Sequence, residues 1–184
     1  MSSQPNLSTN FTTFADWCLH FDSLPEAARH TVEMLLWRAT TSDCYEADRI
    51  LSNLTDLYLS NNRITDISPL SALANLTQLD LNNNQIADIS RLFSLANLTQ
   101  LDLNNNQIAD ISRLFSLANL TQLYLNNNQI ADISRLFSLA NLTQLYLGDN
   151  QIADLALVRR QRRNQAIADS SNWLRPNLSI IASY

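Results

Sequence analysis

The sequence predicts an α/β fold. The expected form is a solenoid of short stacked coils, with a parallel β-sheet on the concave face, a helical cap at the amino end and a short cap at the carboxy end. Three observations predict it. The string LANLTQLDLNNNQIADISRLFS fills residues 73–94, recurs unchanged at 95–116, and recurs at 117–138 with Asp replaced by Tyr at position 124. Such repetition is the mark of a stacked architecture. The register extends back to LSNLTDLYLSNNRITDISPLSA at 51–72 and on to LANLTQLYLGDNQIADLALVRR at 139–160, which makes five coils of 22 residues. Within a coil, Leu79 and Leu81 alternate with Gln78, Asp80 and Asn82, the period of a short strand with one buried face.

Leu76, Ile86, Ile89, Leu92 and Leu95 are expected to point inward from the rest of the coil. Burying each contributes roughly 1.5–3 kcal/mol, whereas fixing the backbone of each residue costs about 1–2 kcal/mol. One coil alone therefore cannot stand, but a stack can, because each coil covers its neighbour's open end. The segment LxxLxLxxNxI, here Leu76, Leu79, Leu81, Asn84 and Ile86, resembles the leucine-rich repeat family, and the resemblance extends over residues 51–160.

Ahead of the repeats, residues 1–10 are polar and expected to be disordered, and residues 11–50 form the helical cap. Phe11, Phe14, Ala15 and Cys18 share a helical face, predicting a first helix over about 12–21. Ser23 and Glu26 bracket Pro25 as a capping box for a second helix, with Ala28, Val32, Leu35, Leu36 and Ala39 as its stripe and an end near Thr40. Asp43 and Glu46 open a third helix that turns Cys44, Ala47, Ile50 and Leu51 inward. The stretches ADWC, LPEAARHTVEMLL and DCYEA make this cap similar to the helical region ahead of internalin-like repeats in cyanobacterial leucine-rich proteins. The resemblance implies a bacterial internalin-like protein that binds proteins, and it brings no catalytic residues. The repeats depart from the commoner DISPL form, kept at Asp66–Leu70, by reading DISRLF in the central units. After Leu157 the pattern fails, and RRQRR leads into a carboxy-terminal cap over 161–184, with a helix expected over about 156–168.

Asn62, Asn84, Asn106, Asn128 and Asn150 hold one repeat position just after two buried leucines. An amide there can donate to and accept from turn backbone, which predicts an internal asparagine ladder. Asn75, Asn97, Asn119 and Asn141 are expected to shape the turn entering each strand. On the open sheet face one row reads Asp56, Gln78, Gln100, Gln122, Gln144, and the middle row Tyr58, Asp80, Asp102, Tyr124, Tyr146. Tyrosines supply large contact area at low entropy cost, so this face, with Tyr58, Gln78, Asp80, Gln100, Asp102, Gln122, Tyr124, Gln144 and Tyr146, is the candidate binding surface.

Asp80 and Asp102 lack the further charged ligands of a calcium site and read as solvated surface. His20 and His30 stand in no arrangement suited to a metal or to a nucleophile and base, so no catalytic residue, metal or cofactor is expected. On the convex side, Arg91, Arg113 and Arg135 are expected to pair with Asp88, Asp110 and Asp132, and Asp154 extends the acidic row. Phe93, Phe115 and Phe137 form either an exposed ridge suited to self-association or a row tucked under the neighbouring turn, the tucked arrangement being preferred. Cys18 and Cys44 face each other in the cap and can form a disulfide, although the visible start lacks a secretion signal.

The charge of −5, with arginine supplying all twelve basic residues, argues against nucleic-acid binding, and no apolar run is long enough to span a membrane. The expected function is non-enzymatic protein or peptide binding by a monomer. The alternatives are a self-associating scaffold, an engineered consensus scaffold, or the recognition part of a larger signalling enzyme. The expected compartment is the cytoplasm for the chain as given, or a secreted or periplasmic location if a signal peptide has been removed.

Overall fold

The computed structural model describes residues 11–152 and 179–181. The amino-terminal segment 1–10, Asp154, the helix expected over 156–168 and the carboxy-terminal cap apart from 179–181 lie outside the described residues. Five strands follow the repeat: β1 (Asp56–Tyr58), β2 (Gln78–Asp80), β3 (Gln100–Asp102), β4 (Gln122–Tyr124) and β5 (Gln144–Tyr146). They run parallel in chain order, with Leu57, Leu79, Leu101, Leu123 and Leu145 in register across the sheet. A sixth strand, β6 (Ser179–Ile181), joins β5 in parallel. The repeat did not announce it, because Ile180 pairs with Leu145 from well beyond one period. A single apolar core runs from Phe14 to Leu147 through the leucines and isoleucines of every coil.

In the three central coils, three successive asparagines do three different things. Asn83, Asn105 and Asn127 take left-handed backbone at φ 54°, a conformation in which asparagine is among the better-tolerated non-glycine residues. Asn82, Asn104 and Asn126 accept from the next coil through their side-chain oxygens. Asn84, Asn106 and Asn128 are buried. The Asn106 amide donates to Leu81 O (3.0 Å), Leu103 O (3.1 Å) and Asn104 O (3.1 Å), while its oxygen accepts from Ile86 N (3.0 Å). Asn84, Asn128 and Asn150 repeat this arrangement. Asn62 has no coil before it, and its amide reaches only Ser60 O.

Two further ladders do not follow from the repeat pattern. Asn75, Asn97, Asn119 and Asn141 do not shape a local turn alone; each donates 2.8–2.9 Å to a carbonyl of the preceding coil or cap. The hydroxyls of Thr77, Thr99, Thr121 and Thr143 likewise donate to a threonine carbonyl of the preceding coil, at 2.9–3.2 Å.

On the return path each coil makes a short 3-10 turn, such as Ser90–Ser94 and Ser112–Ser116. Here the expected aspartate–arginine pairs are not formed. Asp66, Asp88, Asp110 and Asp132 instead accept the N–H groups of Ser68, Ser90, Ser112 and Ser134 at 2.7–2.8 Å. A carboxylate two residues before a turn N–H closes an Asx turn, which outcompetes an exposed ion pair of small net worth. Those N–H groups, ahead of the arginines, hold the Asp110 and Asp132 carboxyls below the usual range. Among the described residues the ion pair is Arg49–Glu46, at 2.7 Å on the cap surface.

The cap comprises α1 (Phe14–Leu19), α2 (Glu26–Ala39) and α3 (Cys44–Leu51). The first helix is shorter than predicted, and its capping box is Thr13 with Asp16. The predicted Ser23–Glu26 box does not form: Pro25 takes the N-cap position of α2, and the Ser23 hydroxyl donates to His20 O at 2.7 Å. A left-handed Thr40 ends α2. Cys18 of α1 and Cys44 of α3 are joined as a disulfide, Cα–Cα 5.5 Å. Asp48 of α3 also accepts the N–H groups of Phe14 (2.8 Å) and Ala15 (3.3 Å) at the start of α1. The cap docks through α2, where the fully buried Thr31 donates its hydroxyl to Asp66 O (2.6 Å) and His30 Nε2 bonds Asn62 O (2.6 Å).

Candidate functional site

Alternation along each strand buries the central leucine and turns its neighbours to the open face, and the parallel register stacks those neighbours into rows. In the row Ser60, Asn82, Asn104, Asn126, Gly148, the side-chain oxygens of Asn104 and Asn126 accept the N–H groups of Asn126 and Gly148 one coil on, and that of Asn82 accepts from the Asn105 side chain. The middle row keeps more free chemistry. Tyr124 and Tyr146 stack with ring centroids 4.7 Å apart and planes at 14°, the separation of adjacent strands. The Tyr124 hydroxyl donates to Gln122 Oε1 at 3.0 Å, which fixes the ring's tip. Burial, then Tyr146 and Asp102, raise the Tyr124 phenol above its ordinary value.

Asp80 and Asp102 are partners on adjacent strands. Each accepts one N–H from the turn that follows it, Asn82 at 2.8 Å and Asn104 at 2.9 Å. Burial above all, with the Asp80 charge adding to it, raises the Asp102 carboxyl over the opposing effect of the Asn104 N–H. Among the described residues no row of this face contains a cation. Among the described residues no group of three or more His, Cys, Asp or Glu side chains is placed to hold a metal. Gln78, Gln100, Gln122 and Gln144 line the row beside these residues and are half-buried.

Tyr58 stands apart from the stacked pair, at 59 % exposure. It borders an open groove against the end of α2, lined by Leu36, Trp37, Thr40 and Thr41. Trp37, 77 % exposed, is a residue that the sequence reasoning missed. Its signal was there, since it lies off the stripe of Val32, Leu35 and Ala39.

The preferred tucked arrangement of the phenylalanine row is corrected by the structure. Phe93 and Phe115 are 54 % and 51 % exposed; the inward positions of the return turn belong to Leu92 and Leu95, which leaves the intervening ring outside. The Phe137 side chain lies outside the described ones. His20 and His30 both bond to backbone carbonyls, of Asp16 and Asn62. No helix among the described residues is long and apolar enough to cross a membrane.

A family model of leucine-rich repeats, two copies per unit, matches residues 52–94, 75–116, 96–138 and 118–159. No curated protein matches the chain. Among solved structures the chain is similar to internalin C2 of Listeria monocytogenes, at 36% identity over 74% of this chain and 55% of that one, with a TM-score of 0.62. It is similar to a second Listeria monocytogenes internalin at 39% identity, over 56% and 31% of the two chains, TM-score 0.50. A leucine-rich repeat protein of Leptospira interrogans is 25% identical over 73% and 32% of the two chains, TM-score 0.57. The chain thus spans about half the length of the first of these and about a third of the other two.

Proposed function

Because the chain belongs to the leucine-rich repeat family, with internalin-like bacterial relatives, we propose that it is a non-enzymatic recognition module that holds a protein or peptide against its open sheet face. The repeats and their relatives suggest a protein-interaction scaffold at the coarser level. The observation that carries the finer reading is the stacked Tyr124–Tyr146 pair beside Asp102, presented on a rigid sheet whose own ladders hold it in place. Preorganised aromatic side chains with polar tips are typical interface anchors. The Cys18–Cys44 bond supports the secreted or periplasmic alternative over the cytoplasm.

Replacing Tyr124 and Tyr146 together by alanine is expected to weaken capture of a partner from extract of the source cell. The melting temperature should change little, because both rings lie on the open face. Unchanged capture would move the interaction to the convex side or the caps. Self-association is a second reading, favoured by the exposed rings of Phe93 and Phe115. Light scattering over a hundredfold range of concentration distinguishes it: a monomer mass throughout removes this reading, and a rising mass that Phe93→Ser with Phe115→Ser abolishes supports it.

A further inference from the structure

The middle row also indicates which chemistry the face would hold, an inference that rests on the sheet-face reading above. Along the row the order is Asp80, Asp102, Tyr124, Tyr146, one residue per strand. The Tyr146 ring covers one face of Tyr124. The register sets Asp102 on the opposite side of Tyr124 from Tyr146, and an aspartate side chain is shorter than the ring beside it. A planar group laid there would have an aromatic face on one side and the Asp102 carboxylate beside it, with the Asp80 carboxylate one strand further on. Each carboxylate has one N–H donor from its own turn and capacity for more. The rows contain no arginine or lysine of their own, and the whole chain carries −5.

We propose that this position binds an arginine side chain of an extended, cationic peptide segment, the guanidinium stacking on Tyr124 and hydrogen-bonding to Asp102, with Asp80 in support. A guanidinium is planar, stacks on aromatic faces and offers paired donors to a carboxylate; an ammonium supplies the charge but neither the plane nor the fork. Charge complementarity selects the sign of the partner, and the ring beside the carboxylate selects arginine over lysine.

The test uses three peptides as probes: acetyl-Gly-Arg-Gly-Arg-Gly-amide, its lysine counterpart, and its citrulline counterpart, which keeps the planar shape and loses the charge. Binding is followed by amide chemical shifts of the folded protein. The arginine peptide should perturb Asp102 and Tyr124 and bind several-fold more tightly than lysine, while the citrulline peptide should fail to bind. Asp102→Asn should weaken the arginine peptide by about tenfold, as expected for loss of one charge-assisted pair. This variant is expected to fold, because an amide oxygen can still accept from Asn104 N and a half-buried charge beside Asp80 is removed.

Equal binding of arginine and citrulline peptides, unchanged affinity in Asp102→Asn, or shifts that map away from β3 and β4 would each overturn the proposal. If Asp102→Asn leaves arginine binding unchanged while the double tyrosine variant still loses its captured partner, the cation inference falls and the sheet-face reading stands. If arginine binds as described and the tyrosine variant captures its partner unchanged, the site is real but the partner docks elsewhere.

Discussion

Breaking the Cys18–Cys44 bond should lower the stability of the amino-terminal cap by about 3.5 kcal/mol, the chain-entropy value for a loop with the sequence separation of 26 that this bond closes. The effect should be local. Helix α1 is only six residues long and is held to α3 by the disulfide, by Asp48 at its first N–H groups, and by the burial of Phe14 and Ala15. A six-residue helix has no stability of its own. Helix α2, in contrast, is fixed to the first coil by Thr31 and His30, neither of which depends on the bond. Amide exchange with and without reductant, compared with the Cys18→Ala, Cys44→Ala double variant, should show faster exchange in α1 and α3 and unchanged protection in β3 and β4. Two titratable thiols in denatured, non-reduced protein, or equal protection of α1 in both states, would contradict the prediction.

The fold was legible because the repeat states its own period, and the period fixes both register and interior. Leu79 and Leu101 follow as opposite partners from the repeat alone, since parallel stacking of identical coils leaves no other pairing. What escaped the sequence was whatever depends on competition between equivalent partners. Asp88 had both an arginine three residues on and a serine N–H two residues on within reach, and the backbone won because it is already in place. Asn97 could cap its own turn or reach the preceding coil, and the stack brought Ala74 O within 2.9 Å. Phe93 directly follows the buried Leu92 in a turn whose next inward position is taken by Leu95, so its ring is left outside. On the open face the sequence placed the middle row but not the stacking of Tyr124 on Tyr146, which is set by how two rings one strand apart tilt together. The separation of Tyr58 from that pair, and the groove it lines together with Trp37, depended on where α2 ends against β1.

Asn106→Ala is expected to destabilise the solenoid by about 1–3 kcal/mol although it removes no apolar contact. The ladder shows which group suffers. Leu81 O keeps the amide of Asn84, and Leu103 O keeps that of Asn128, so both carbonyls remain partnered after the substitution. The N–H of Ile86 does not: its acceptor is the Asn106 oxygen, and the bond is buried. The orphaned donor therefore dominates the cost. Two comparisons separate this account from a general intolerance of substitution. Asn62→Ala should cost less, because the Asn62 amide bonds only Ser60 O, and its side-chain oxygen has no preceding coil to serve. Asn106→Asp keeps an acceptor for Ile86 N but sacrifices the donors and buries a carboxyl between carbonyl oxygens, which raises its folded pKa. A raised folded pKa means stability that is present at low pH and lost as pH rises through that value, so Asn106→Asp should be most stable in acid, relative to the parent. Denaturant midpoints of the three variants near pH 4 and pH 8 measure all of this. Equal midpoints for Asn62→Ala and Asn106→Ala, or an Asn106→Asp variant without pH dependence relative to the parent, would remove the orphaned Ile86 N–H from its explanatory place.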